Sequence, residues 1–194
     1  MKRREFMGIL AGGFLFLFTG SRILLRKIKN GLIRPPGAVE EESFNYKCVR
    51  CGKCILACPA KCLRPVSMEK GLMEWGTPCI EPRKAGCLMC FNCARVCPSS
   101  AVIDIKGSNP KIGTARIDVS RCLVWQHGKD CLVCLEYCPA GAIHTDDSGR
   151  PLVDPDTCIG CGICEANCPV AGISAIRVSN TGERRYRLRE GRYR

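Results

Sequence analysis

The sequence predicts an α+β fold of two small modules built from short helices, β-hairpins and many loops. Three observations carry that expectation. Cysteines recur in four similar runs, each closed by Cys-Pro; each run is followed by a short alternating apolar segment; and turn residues punctuate the chain throughout. The runs are Cys48, Cys51, Cys54, Cys58-Pro59; Cys87, Cys90, Cys93, Cys97-Pro98; Cys122, Cys131, Cys134, Cys138-Pro139; and Cys158, Cys161, Cys164, Cys168-Pro169. Together they take sixteen of the eighteen cysteines.

The spacing C-x2-C-x2-C-x3-C-P is that of a bacterial-type [4Fe-4S] ligand run, and three of the four runs match it; the third has eight residues between its first two cysteines. A cubane needs four thiolates converging from nearly tetrahedral directions. Three cysteines set three apart wrap an irregular loop round one cluster, and the fourth follows one turn along a short helix that Pro then discourages from continuing. In two-cluster ferredoxins the fourth cysteine serves the other cluster, so runs work in pairs. Four runs imply two ferredoxin-like modules, four [4Fe-4S] clusters and sixteen iron ligands.

Composition agrees. Only 6% of the 194 residues are aromatic, while Gly and Pro contribute 20 and 12, so a conventional core is small. Metal sites supply the staples, and the apo chain is expected to be largely unfolded. The formal charge of +12 counts cysteine as neutral. Four clusters of charge about −2 would bring the holo-protein to roughly +4, which removes most of the motive for a nucleic-acid partner. Cysteines packed this tightly give poor geometry for separate disulfides. Zinc accounts for C-x2-C pairs but not for a third and fourth cysteine with a trailing Pro in every run.

Along the chain, residues 1–30 open with Lys2-Arg3-Arg4-Glu5-Phe6 and an apolar run from Ile9 to Phe18. They resemble a twin-arginine export signal, the alternative being an ordinary positively flanked anchor. No A-x-A triplet follows, and Gly8 to Leu25 is just long enough to reach across a bilayer, so the reading leans to an uncleaved anchor. Residues 31–43 read as a linker, broken by Pro35-Pro36-Gly37, with Glu40 to Glu42 a solvated first turn before Phe44. The four-cluster domain is 44–180 and a basic tail occupies 181–194.

Strands are expected at Leu63 to Val66, Ala101 to Ile105, Ala142-Ile143 and Ile173 to Val178. Further strands are expected at Thr114 to Val119, Leu152-Val153 and Arg185 to Leu188. The repeating unit is thus loop, short helix, β-hairpin, half a module each. Cys62 and Cys79 lie outside the runs and read as small buried side chains, with a mutual disulfide as the alternative. His127, inside the third run's insertion, reads as a loop or packing residue, and His144 as unremarkable. The tail from Arg184 carries six arginines; lipid headgroups, an acidic partner face or plain solvation would each suit it.

With these residues in hand, the chain resembles the NapG/MauM group of exported ferredoxin-type subunits. The resemblance rests on the twin-arginine start, on Ile33-Arg-Pro-Pro-Gly-Ala38 leading into Cys48-Val-Arg-Cys51-Gly52, and on Pro78-Cys-Ile-Glu-Pro-Arg83. The most specific match is the stretched third run from Cys122 to Pro139. The second run departs from the C-x2-C-x4-C form associated with relatives. The resemblance implies a four-cluster, non-enzymatic electron carrier at the periplasmic face of the cytoplasmic membrane. Its donor would be a membrane quinol-oxidising or polyferredoxin subunit and its acceptor a periplasmic reductase or cytochrome, with an iron–sulfur subunit integral to an oxidoreductase complex as the alternative. Pairing of the fourth cysteines stays open. Neighbour pairing exchanges Cys58 with Cys97 and Cys138 with Cys168, favoured by the short gap from Cys138 to Cys158. Nested pairing joins the first run to the last, so that Cys168 completes the first cluster and Cys58 the last. Analogy with related multi-cluster subunits favours nesting, and the reading leans that way.

Overall fold

Every regular element in this chain is short, because the cysteine loops leave little sequence for anything longer. The computed structural model describes residues 31–105 and 109–187. The expected export signal or anchor at residues 1–30 and the end of the basic tail lie outside the described residues. Among the described residues no helix is long and apolar enough to cross a membrane.

From Leu32 onward the chain forms one compact unit. Within it, the helices are α1 Glu41–Lys47, α2 Lys53–Leu56, α3 Asn92–Arg95, α4 Leu123–His127, α5 Val133–Glu136 and α6 Ile163–Asn167. The strands are β1 Leu63–Pro65, β2 Pro78–Ile80, β3 Thr114–Ile117, β4 Ile143–Thr145, β5 Pro151–Val153 and β6 Ile176–Ser179. Helix α1 has acids in its first turn and Lys47 in its last, as the helix dipole favours, and buries Phe44 completely.

All strand pairs are antiparallel: β1 with β2, β4 with β5, and β3 with β6. This corrects the expectation of one hairpin per run. Among the described residues only β4–β5 is a tight hairpin, closed by Asp146, whose carboxylate accepts from the backbone N–H groups of Ser148 and Arg150. β1 and β2 are separated by residues 66–77, which hold a 3-10 turn at Met68–Lys70. The expected strand at Ala101 to Ile105 survives as a single bridge, Val102 to Ala38, and the expected strand at Arg185 to Leu188 as a parallel bridge from Tyr186 to Val39.

The pattern behind these pairings is the same in both halves. In the second, β3 precedes the third run, β4–β5 separates the runs, and β6 follows the fourth run and returns to β3. In the first half Ala38 stands where β3 does and Val102 where β6 does, with β1–β2 between the runs. Each module therefore closes on itself through its two ends.

That closure overturns the reading of residues 31–43 as a linker. Ile33, Arg34, Ala38 and Val39 are at most 3% exposed, and the Ile80 N–H donates to the Ile33 carbonyl at 2.7 Å. The segment is the first module's outer strand, which Pro35-Pro36-Gly37 shapes rather than interrupts. The described part of the basic tail is also packed: Arg184 reaches the Asn109 carbonyl at 3.0 Å, and Arg187 pairs with Glu40.

Two apolar clusters fill the modules, and cysteine is a main constituent of both. The first joins Ile33, Val39, Phe44, Leu63, Ile80, Val102 and Ile112 with Cys62, Cys87 and Cys93. The second joins Ala115, Ala142, Ile143 and Ile176 with Cys158 and Cys164.

Candidate metal centres

The cysteine loops obtain their curvature from residues in the left-handed region. In the fourth run Gly160 and Gly162 have φ of 74° and 81°, where glycine carries no Cβ penalty. The matching positions are Arg50 (56°) and Gly52 (73°) in the first run, and Met89 (52°) and Phe91 (57°) in the second. A bulky residue held left-handed is strained and persists only where its surroundings over-determine it. Here it turns the chain so that the next cysteine starts or enters a short helix: α2, α3 and α6 begin immediately after Gly52, Phe91 and Gly162. The third run dispenses with this device, Leu132 having φ −118°.

Three concave spaces of similar size result, each lined by four cysteines. One of about 400 Å³ is lined by Cys48, Cys51, Cys54 and Cys97, with Phe44, Ile55 and Val102. A second, about 340 Å³, is lined by Cys122, Cys131, Cys134 and Cys168, with Ile117 and Ile176. A third, about 320 Å³, is lined by Cys138, Cys158, Cys161 and Cys164, with Ala115, Ile143 and Val178. The remaining run cysteines are Cys58, Cys87, Cys90 and Cys93. Among them Cys87 and Cys93 are buried in the same apolar cluster as Cys62, and Cys58 packs against it with its sulfur 3.6 Å from that of Cys62.

Each quartet takes three cysteines from one run and the fourth from the neighbouring run. Cys97 joins the first run, Cys138 the fourth and Cys168 the third. The structure therefore corrects the leaning to nested pairing: Cys168 does not reach the first quartet. The reason is the closure of each module on its own end strands, which packs α2 against α3 and α5 against α6.

All eighteen cysteines are unpaired thiols, Cys62 and Cys79 included, and both of these are buried, at 1% and 2% exposure. No disulfide joins them. His127 and His144 are exposed, His127 ending α4. The first five of the eight inserted residues of the third run thus form α4, fixed by Trp125, whose indole N–H donates to the Pro151 carbonyl at 3.2 Å and whose ring lies 4.3 Å from the Arg150 guanidinium.

The electrostatics of the quartets suit a guest that displaces protons. Burial, then the charge of Cys48, pushes the Cys54 thiol up to about 11; burial and the charge of Cys122 do the same to Cys134, also about 11. Cys93 is pushed to about 12 by burial and by Cys87, and Cys164 is raised by burial and its neighbours. Without a metal these sulfurs stay protonated, because several thiolates in one apolar space repel one another. A polycation would convert them to ligands and release the protons.

Donors already point at ligand-position sulfurs. The Ala115 N–H lies 3.4 Å from Cys158 Sγ and the Ala142 N–H 3.3 Å from Cys138 Sγ. For Cys97 burial acts upward, but N–H groups of Val102, Ser99 and Ala101 and the Ser99 hydroxyl outweigh it and lower the thiol. Among the described residues no three or more His, Cys, Asp or Glu side chains draw together as round a single ion. The quartets instead ring larger apolar spaces, which fit a cubane whose four irons each take one thiolate.

Sequence reasoning missed the partners of these loops. Arg34, 1% exposed, donates to Thr77 Oγ1 at 2.7 Å and the Pro78 carbonyl at 2.9 Å, pairs with Glu41 and stacks on Phe44 at 4.6 Å. Arg83 donates to the carbonyls of Glu165, Cys168 and Val170 at 3.1, 2.9 and 2.7 Å. Nothing in their local sequence distinguishes either from a surface arginine.

Comparison with known proteins gives a matching picture. The model of the 4Fe-4S dicluster domain matches residues 47–101 and again residues 129–173, one match per module. The ferredoxin-type protein NapG of Escherichia coli is 38% identical over 153 residues, covering 70% of this chain and 65% of the relative. The methylamine utilization ferredoxin-type protein MauM of Paracoccus denitrificans is 38% identical over 169 residues, covering 75% and 70%. The ferredoxin-type protein NapF of Escherichia coli is 32% identical over 155 residues, covering 77% and 87%. This chain thus spans slightly less than two thirds of the NapG relative's length.

Proposed function

Because this chain belongs to the 4Fe-4S dicluster domain family, and is ferredoxin-type like its NapG and MauM relatives, we propose that it is an electron carrier with four [4Fe-4S] clusters. The observation that carries the proposal is the gathering, within one compact unit, of three cysteines of one run with a fourth from the neighbouring run round each of three apolar spaces. When bound, such a cluster gives or takes a single electron with no bond to the protein made or broken.

The sixteen run cysteines serve as iron ligands: Cys48, Cys51, Cys54 and Cys97; Cys87, Cys90, Cys93 and Cys58; Cys122, Cys131, Cys134 and Cys168; Cys158, Cys161, Cys164 and Cys138. The polypeptide's task is to hold these sulfurs rigidly, exclude water and set the potential. The N–H groups of Ala115 and Ala142 favour the more negative, reduced form, and burial opposes it.

The protein works outside the cytoplasmic membrane. The paired Arg3-Arg4 ahead of an apolar run supports twin-arginine export, the route open to a protein folded round its clusters before it crosses. A membrane quinol-oxidising partner supplies the electrons and a periplasmic redox protein accepts them, while substrate chemistry takes place on those partners. The test is spectroscopic. Membranes carrying a quinol-oxidising partner should bleach the anaerobically purified holo-protein, and a periplasmic acceptor should restore its colour, with about four electrons exchanged per chain. A holo-protein that turned over a substrate unaided would overturn the proposal.

A further inference from the structure

The two modules meet at a particular place. The N–H of Cys87, first cysteine of the second run, donates to the carbonyl of Cys161, second cysteine of the fourth run, at 2.7 Å. Glycines on both sides make the approach possible. A Cβ on Gly86 would lie 2.6 Å from both the backbone N and Cα of Ile163, and one on Gly162 would lie 2.6 Å from Cβ of Pro82. Arg83 closes the same junction with its three bonds to carbonyls following the fourth run's third cysteine. The second and fourth runs are therefore in backbone contact across the junction.

Within each module the two runs share a core. Cys48, Cys54 and Cys97 pack against the cluster that buries Cys87 and Cys93, while Cys134 and Cys168 pack against the one that buries Cys158 and Cys164. Burial follows the same order. Cys87, Cys93, Cys158, Cys161 and Cys164 are buried, whereas Cys51 is exposed and Cys48, Cys54, Cys131 and Cys134 are only half-buried; buried Cys122 and half-buried Cys90 are the two exceptions.

We propose that the four quartets form one unbranched series whose spatial order is first run, second run, fourth run, third run, joined between modules where Gly86-Cys87 meets Cys161-Gly162. The first-run and third-run quartets are then the two ends, each facing one redox partner. One electron arrives from the donor at one end for each electron that leaves to the acceptor at the other, and no proton or bond changes hands. This rests on the four-cluster reading above, and it reverses the third and fourth runs relative to their order in the chain.

Magnetic coupling in the fully reduced holo-protein tests the order directly, because neighbouring paramagnetic clusters broaden and split each other's EPR signals. Removing a ligand from an interior site should isolate its outer neighbour. Cys164→Ala is expected to leave the third-run signal narrow and uncoupled, while Cys134→Ala is expected to leave the other three mutually coupled; each variant should retain about twelve of sixteen irons. The opposite pair of results would overturn the order. Gly86→Leu keeps every cysteine and is expected to retain the full iron content while losing the coupling between modules, since its side chain meets Ile163 backbone. Unchanged coupling in Gly86→Leu would also overturn the order. A wild-type protein with fewer than four clusters would instead sink the underlying reading, so the two failures are distinguishable.

Discussion

The sulfur of Cys62 lies 3.6 Å from that of Cys58, within hydrogen-bond reach of it. The gap far exceeds the ~2.05 Å of a disulfide. Cys62 is therefore an unbridged thiol beside the second-run sulfurs with one proton to donate, and hydrogen bonding from Cys62 lowers Cys87, burial opposing it.

Loss of that donor should move one potential only. In Cys62→Ala the reduced, more negative form of the second-run centre loses stabilisation, so its potential is expected to fall. A bond of about 0.5–1 kcal/mol corresponds to roughly 20–40 mV for a one-electron couple. An EPR-monitored redox titration reads it. A missing cluster would make Cys62 a ligand, and an unmoved potential would contradict its role as donor.

Arg34 makes a different prediction. It is 1% exposed and its charge is balanced by Glu41, which is 39% exposed. Glu41→Ala leaves a buried cation without its counter-charge and is expected to cost about 2–3 kcal/mol, below the range for fully buried pairs because Glu41 is partly solvated. Denaturant unfolding of the holo-protein gives the value. Asn45, 3.4 Å from the guanidinium, is too distant to compensate.

Glu165 supplies the pH dependence. Burial raises its carboxyl above the ordinary value of 4.5, although it accepts the Val178 N–H at 2.6 Å. A raised acid favours the protonated fold, so stability falls as pH rises from 4.5 through the folded value. Glu165→Gln keeps the acceptor without the buried charge. It is expected to exceed the wild type at neutral pH, by a margin that narrows as the pH is lowered towards the folded value. Glu165→Ala strands the Val178 N–H and should cost about 1–3 kcal/mol throughout that range. Denaturation curves of the holo-protein at neutral and mildly acidic pH, where the clusters survive, check both.

The cysteine-built cores make a prediction about metal removal. With Cys87, Cys93, Cys158 and Cys164 in the cores, and burial pushing the Cys93 and Cys164 thiols up, the apo chain lacks the ties that close the loops. Iron chelation under reducing conditions is expected to abolish the cooperative unfolding transition, not merely lower its midpoint. Calorimetry before and after chelation decides it.

The loop-and-short-helix form of the four cysteine runs was legible because a fixed local cysteine spacing sets the turn of the loop, and Cys-Pro reports where the short helix ends. The pairing of Ala38 with Val102, and of β3 with β6, was not. Those partners lie on opposite sides of a whole pair of runs, and local alternation carries no information about which distant strand completes a ladder. The same blindness made residues 31–43 read as a linker, since Pro35-Pro36-Gly37 breaks a helix whether or not the segment is an outer strand. It also left the fourth cysteines open, because exchange between Cys97 and Cys58 depends on that closure. Arg34 and Arg83 escaped notice for a related reason: their partners are chiefly carbonyls and a hydroxyl far along the chain.

Counting iron and acid-labile sulfide on anaerobically purified protein tests most directly whether sixteen sulfurs grip four cubane clusters. About sixteen of each per chain, with interacting S = 1/2 signals after reduction, is the expected result. Colourless protein with bound zinc, or with those sulfurs bridged as disulfides, would contradict it.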